Sequence, residues 1–551
     1  MVGKRKVLVI GLDGATFDLL LPLLSKGKLP VFERLLKKGV RGNLLSTIPI
    51  LSPCAWSSFM TGKNPGKHGL LDFVGRDENS YRMAVLNATH RASKEIWSIL
   101  SEHYKRSIVI NVPFTYPAKR INGTIITGMM TPRGADDFIY PSALREEINK
   151  VVGEYRIHPD LAYEPGRIEE FVKDLFDVLE TRAKTASYLL SNRSWDFFMV
   201  VFTCTDQIQH GLWMYLDPDS PEYDMSIGRR IFDCYERLDN IIGRILEAID
   251  ENTVVIVMSD HGAGPLYKHF HINAWLMKLG FLRLRRTFST LIKRFMYEIG
   301  VTPLSLYSFL VRLRLGSLRV RLGREKRRSL LSKTFISLTD VDWRKTKAYA
   351  FGRAGGVYIN LKDREPVGIV NRGAQYENLR EAIINSLIDF KDPEDGKHVI
   401  EKAYRKEEIY SGPLLEKMPD IVLTPARGYV AFGEYDFATN RTLTQAKGIS
   451  SRHEMEGILI MTGPMFKKDA KLPTEANMVD LAPTILYLLG VPISTNMDGS
   501  ILKDAFISSY LESNTAEYTK EGQVGASKPR YAFSKEDEEK VKERLRELGY
   551  L

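Results

Sequence analysis

At 551 residues, 44% hydrophobic and 26% charged, the chain is long enough for a large core with insertions and too apolar to be disordered over most of its length. Its three cysteines, Cys54, Cys204 and Cys234, are too few and too scattered for a disulfide-stapled or zinc-finger fold and suit a reducing compartment. The formal charge is +10, but thirteen Lys or Arg against two Glu fall within 281–330, so the rest of the chain is close to neutral and nothing in it calls for a specific nucleic-acid partner.

In chain order, Lys4-Arg5-Lys6 leads into the apolar run 7–10, which stops at Gly11-Leu12-Asp13-Gly14. The run is too short for a signal or membrane segment and reads as a buried first strand, so the cytoplasm is the expected location. The runs 107–111, 197–202 and 253–258 are equally apolar, as parallel strands covered on both faces are. Alternating with helical patterns, they predict an α/β fold with a mostly parallel sheet and helices on both faces. Ligand sites in such sheets lie beyond the carboxyl ends of the strands.

From 273 to about 334 the sequence turns Leu/Arg-rich and helical, and then Ala348-Tyr349-Ala350 and Gly356-Val357-Tyr358-Ile359 resume the strand pattern. The expected organisation is a catalytic core in 1–275 and 336–510, interrupted by a basic helical insertion or cap at 276–335 and followed by a tail and helix at 511–551. Ser534 is the expected N-cap of that last helix, with Glu and Asp in its first turn.

Five pieces of sequence carry candidate chemistry. Asp13 ends the first strand. Asp206 and His210 are four residues apart after 197–202, which on a helix points both side chains the same way. Asp260-His261-Gly262 follows the apolar run 253–258 directly, and adjacent Asp and His at a strand end can both reach a metal. His453 precedes the apolar stretch 457–461, and Ser52 stands in Leu51-Ser52-Pro53-Cys54-Ala55-Trp56. Each alone has an ordinary reading as a turn, a cap or a surface side chain.

Together, in order and spacing, they resemble the alkaline phosphatase superfamily, and within it the type I phosphodiesterase and nucleotide pyrophosphatase branch. The resemblance spans roughly 6–500. It includes Thr61-Gly62-Lys63-Asn64-Pro65-Gly66-Lys67-His68-Gly69 after Ser52, and Ala482-Pro483-Thr484 with Met497-Asp498-Gly499 near the end. It implies an alkaline phosphatase-like core with two divalent metal ions. Asp13, Asp260, His261 and the Ser52 oxygen would hold one, and Asp206, His210 and His453 the other. Zinc is the expected ion, with manganese or another divalent ion as the alternative. Ser52 would attack the phosphate ester and form a phosphoseryl intermediate that water hydrolyses.

The chain departs from that branch at two places. Its pyrophosphatases carry Thr as nucleophile and Asn three positions later, where this sequence has Ser52 and Ala55. Sulfatases carry Cys/Ser-x-Pro-x-Arg, and here Cys54 and Trp56 stand at the Pro and Arg places, which argues against formylglycine. The expected activity is hydrolysis of a phosphomonoester or phosphodiester on a small molecule, glycan or lipid headgroup. A serine nucleophile also resembles cofactor-independent phosphoglycerate mutases, so phosphomutase is the alternative, and a non-catalytic metal-binding scaffold is a third. His269, His271, Lys63, Lys67 and Arg353 are weaker candidates for substrate contact. The mixed Arg/Leu pattern of 281–330 predicts either a peripheral contact with anionic membrane at the inner face, a cap that attracts phosphorylated substrate, or a solvated helical hairpin. The oligomeric state is not legible.

Overall fold

The structure, a computed structural model, describes residues 5–77, 80–306, 333–353, 355–433, 437–520 and 531–547. Among these residues, ten strands form a central sheet. Val7–Leu12 lies in its middle, parallel to Phe197–Phe202 on one side and to Val254–Met258 on the other. Beyond Phe197–Phe202 the sheet continues through Ser107–Ile110 and Gly123–Ile126, both parallel, to a short antiparallel edge at Ile139–Tyr140. Beyond Val254–Met258 it continues through Glu456–Thr462 and Gly39–Leu45.

Alternation along the first strand explains why the run is wholly apolar. Leu8, Ile10 and Leu12 enter the core beneath Ile168–Asn192, Cys204–Leu216 and Met225–Glu247, while Val7 and Val9 enter the opposite core beneath Ser52–Thr61, Ile96–Glu102 and Leu481–Leu488. Both faces are dry, so no position in the strand admits a polar residue until the chain leaves the sheet. The register then decides where it leaves: Leu12 pairs with Phe202, and Gly11 with Met258. The three central strands therefore end nearly level, and Asp13, Thr203 and Ser259 begin neighbouring loops.

A second layer is built from the chain between. Gly262–His271 pairs with Gly428–Phe432, Leu443–Gln445 and, at its start, Ser451–Glu454. Ala348–Phe351, Gly356–Ile359, Ile421–Pro425 and Ile400–Arg405 form an antiparallel sheet over a third apolar cluster that includes Phe73, Trp275, Leu282, Ile336 and Trp343. The last helix, Lys535–Glu547, opens as expected, with Asp537 N donating to Ser534 Oγ at 3.0 Å.

Of the basic segment 276–335, the structure describes 276–306 and 333–335, including the helix Phe288–Glu298. The later Arg/Leu pattern, including Arg312 and Arg314, lies outside the described residues. No helix among the described residues is long and apolar enough to cross a membrane.

Candidate active site

The level strand ends bring the predicted residues together. Asp13 leaves the first strand and is turned by Gly14, which takes a left-handed φ of +69° and would, with a Cβ, stand 3.2 Å from the Asp206 Cβ. Asp206 and His210 are one turn apart on the same side of Cys204–Leu216, with Asp206 Oδ1 3.2 Å from His210 Nε2. Asp260 and His261 follow Val254–Met258. Ser259 pins their loop, its Oγ donating to Ala15 O and accepting from Ile458 N, both at 2.8 Å.

His453 arrives from far along the chain because Ser451–Glu454 pairs with the strand that begins one residue after His261. That register sets His453 opposite Ala263, and its ring stacks on His261 with centroids 3.6 Å apart. Ser52 is the first residue of the helix Ser52–Thr61, all of which is buried, and its Oγ lies 3.4 Å from His261 Nε2. It sits at the positive end of the helix dipole, where an anion is stabilised. The seven residues thus form two adjoining groups. Asp13, Asp260 and His261 make one, with Ser52 against it, and Asp206, His210 and His453 the other; within each triad the donor atoms lie within 4.8 Å of one another.

All three histidines turn the same nitrogen inward. Nδ1 lies 2.9 Å from Gly262 O in His261, 3.0 Å from Ser451 O in His210 and 3.0 Å from Ile50 O in His453. A carbonyl only accepts, so Nδ1 carries the proton and Nε2 presents a lone pair to the site. Burial, and then His261, push the His453 imidazole down to about 3, which keeps it neutral. His210 and His453 Nε2 are 3.1 Å apart, and Asp206 Oδ1 is 3.5 Å from His453 Nε2.

The carboxylates follow the same plan. Asp260 Oδ1 accepts from Gly14 N at 3.2 Å, and Asp13 Oδ2 accepts from Trp56 Nε1 at 3.3 Å. Their other oxygens, Asp13 Oδ1 and Asp260 Oδ2, are buried without a hydrogen-bond partner. Both face His261 Nε2, at 3.5 and 3.4 Å. Lone pairs aimed at one another in a dry site repel, and a cation between them turns that cost into coordination. Carboxylate with neutral imidazole is a donor set that divalent transition metals accept, so the residues fit the ions the sequence implies.

Without a cation the strain is electrostatic. Burial, then Asp260 and Asp206, push the Asp13 carboxyl well above the ordinary carboxylate range. Burial, then Asp206, push Asp260 up to about 7. Burial would raise Asp206 as well, but His210 and His453 hold it well below the usual value. A carboxyl raised on folding binds its proton more tightly in the native state, so its contribution is present below the unfolded value and is lost as pH rises through about 7. Chelated protein should therefore melt at a lower temperature at pH 8 than at pH 5, and Asp260→Asn should flatten that slope. Added divalent ion should flatten it too. A chelated wild type whose pH dependence matches that of Asp260→Asn would overturn the reading.

Several residues that position this site gave no signal in the sequence. Thr205 Oγ1 donates to Asp13 O at 2.5 Å, and Gln209 Nε2 to Gly14 O at 2.9 Å, so the helix bearing Asp206 also fixes the turn bearing Asp13. Arg182, fully buried, donates to Val201 O at 2.9 Å and Ile157 O at 2.8 Å and secures the strand end that leads to Asp206. Trp56 looks like a core residue in sequence, and only its Nε1 reaches the site.

The weaker candidates lie elsewhere. His269 and His271 are at the far end of Gly262–His271, roughly 20 Å or more from His261 at about 3.3 Å per residue. His269 packs on Phe432, and His271 Nε2 lies 2.8 Å from Thr444 Oγ1. Arg353 lies over the Phe432 ring at 4.5 Å. Lys67 pairs with Asp498 at 2.5 Å, tying the helix region to the closing segment, and Lys63 follows the far end of the ten-residue Ser52 helix, about 15 Å from Ser52.

The sequence model of the type I phosphodiesterase / nucleotide pyrophosphatase family matches residues 7–450. The chain belongs to that family. It is thereby a member of a family of metal-dependent phosphoric-ester hydrolases within the alkaline phosphatase superfamily. The match ends just before His453, which the strand pairing supplies. Among solved structures, phosphonoacetate hydrolase from Sinorhizobium meliloti 1021 in complex with phosphonoacetate is similar in fold, with a TM-score of 0.52, 13% identity, 89% of this chain covered and 96% of that one. Human ectonucleotide pyrophosphatase / phosphodiesterase 5 aligns with a TM-score of 0.49 and 14% identity, over 92% of this chain and 100% of that one. No curated protein sequence matches the chain.

Proposed function

We propose that the protein hydrolyses a phosphate ester through a phosphoseryl intermediate on Ser52, with two divalent ions, zinc foremost, held by the two Asp/His groups. The observation that carries this reading is the convergence on one point of Ser52 Oγ, His261 Nε2 and the two unpartnered oxygens of Asp13 and Asp260. When bound, the ions supply the positive charge that lowers the pKa of the Ser52 hydroxyl and stabilises the phosphoryl oxygens. The chain's own residues do the rest. The N-terminus of Ser52–Thr61 turns its dipole toward the incoming phosphate, and Gly14 N and Trp56 Nε1 each fix one oxygen of an Asp so that the other stays directed at the site. Ser52 Oγ attacks phosphorus, the ester alcohol leaves in line, and water then cleaves the Ser52–phosphate bond and returns the hydroxyl. The three cysteines are buried and free, which suits work in the reducing cytoplasm.

The substrate class we propose is a small phosphorylated molecule, glycan or lipid headgroup. Acid quench during turnover of an aryl phosphomonoester, followed by peptide mass spectrometry, should find phosphate on the peptide that contains Ser52; with a diester the same peptide should carry the phosphoryl group with its remaining ester. Turnover with no phosphate on that peptide, and incorporation of solvent oxygen in a single inverting step, would show that water attacks directly. Return of the phosphoryl group to a second hydroxyl of the substrate, in place of free phosphate, would show a mutase.

A further inference from the structure

The helix Phe288–Glu298 is inside out. At 100° per residue, Phe288, Leu291, Ile292, Phe295 and the C-cap Ile299 fall within one stripe about 100° wide. That stripe faces solvent: Phe288 is 81% exposed, Phe295 62% and Ile299 60%, and Leu291 and Ile292 are about half exposed. The opposite side, against the protein, is polar. Lys293 Nζ pairs with Asp340 at 3.0 Å, Thr290 Oγ1 donates to the same carboxylate at 3.1 Å, and Tyr297 Oη donates to Thr439 O at 2.6 Å. A surface helix that is simply packed on a core turns its apolar stripe inward, and here buried polar contacts hold the helix so that the stripe points out. Leu279, before the helix in the chain, and Val301 and Leu306, after it, are exposed as well.

The charges around the stripe are mainly basic. Lys278, Arg283, Arg285 and Arg286, in the chain just before the helix, are exposed, and Arg294 is paired with the helix's one acid, Glu298, at 2.7 Å. We propose that this helix docks the protein on an anionic lipid surface, lying in the plane of the headgroups with Phe288, Leu291, Ile292, Phe295 and Ile299 in the acyl boundary and Arg285 and Arg286 at the phosphates. Aromatic and aliphatic side chains flanked by Arg suit that boundary. At eleven residues, about 16 Å, the helix lies on a bilayer and does not span it. A second copy is a poor occupant, because it would bring two like-charged rims together.

The test is co-sedimentation of the full chain with vesicles of phosphatidylcholine alone and of phosphatidylcholine mixed with phosphatidylserine, at low and high salt. Binding to the anionic vesicles that weakens with salt is expected. Phe288→Ser with Phe295→Ser should reduce partitioning by roughly 10- to 100-fold. Arg285→Gln with Arg286→Gln should reduce it by about 30-fold on anionic vesicles. Phe288, Phe295 and Arg286 are exposed, and Arg285, also exposed, gives up only its bond to Val341 O, so thermal melting close to wild type and unchanged turnover of a soluble substrate should show that the variants fold. No binding to either vesicle would overturn the proposal. So would binding that survives the Phe variant, which would place the attraction in other basic sequence, or a dimer in solution that the Phe variant dissociates, which would make a second copy the occupant.

Discussion

Ser52→Ala is expected to reduce turnover by roughly a thousandfold or more while the protein still folds and still takes up metal. The size follows from the geometry. Ser52 Oγ is the hydroxyl that His261 Nε2 faces at 3.4 Å, at the mouth of a helix that is buried along its whole length. Among the described residues Ser52 carries the one hydroxyl set against His261 Nε2, and in cooperating catalytic groups the loss of one member forfeits most of what the set achieves. The fold should survive because the substitution removes one oxygen from a helix anchored by Trp56, Phe59 and Met60 in the apolar core. Asp13, Asp260 and His261 lose the Ser52 hydroxyl in the variant but keep their bonds to Trp56, Gly14 and Gly262, so metal content should stay near that of wild type. Two measurements decide it: kcat on an aryl phosphate and elemental analysis of the same sample. Near-wild-type kcat in the alanine variant would remove Ser52 from the chemistry, whereas low kcat with lost metal would make it chiefly a ligand.

Much of this site was legible in the sequence because the ends of central strands are forced. A strand dry on both faces admits no carboxylate, so Asp13 and Asp260, placed at or just after such runs, had to stand beyond the carboxyl ends of the strands, where ligand sites form. Asp206 and His210 were legible through helical spacing. His453 carried no local signal. Its place depends on a pairing between Ser451–Glu454 and the strand after His261, a contact between segments far apart in sequence, and only the family resemblance pointed to it. The supporting shell was illegible for a related reason. Thr205, Gln209, Arg182 and Trp56 act through hydrogen bonds to backbone atoms or through one ring nitrogen, and residue type alone does not show such a bond. The basic segment was legible only in outline. Its Arg/Leu pattern suggested amphipathic helices, but the orientation of the helix Phe288–Glu298, polar side buried and apolar side exposed, depends on the distant Asp340 and Thr439 and has no local signal.

Because His453 is held by long-range pairing alone, its removal is the sharpest check on the second Asp/His group. His453→Ala should bind about half as much divalent ion as wild type, and should lower turnover by roughly a thousandfold or more. Asp206 and His210 would remain 3.2 Å apart on their helix, but two donors bind a divalent ion far more weakly than three. The first group should be spared, since Asp13 and Asp260 are fixed by Trp56 and Gly14, and His261 by its own Gly262 carbonyl. Losing the ring also removes the stack on His261 and the bond to Ile50 O, two residues before Ser52, so a modest fall in melting temperature is expected. His453→Gln separates these effects. It restores part of the bulk and a polar reach to Ile50 O without an imidazole Nε2, so melting should recover while metal content and turnover stay low. Two ions retained in both variants would show that the group of Asp206, His210 and His453 is not a metal site. Recovery of turnover in the glutamine variant would show that His453 matters only through packing.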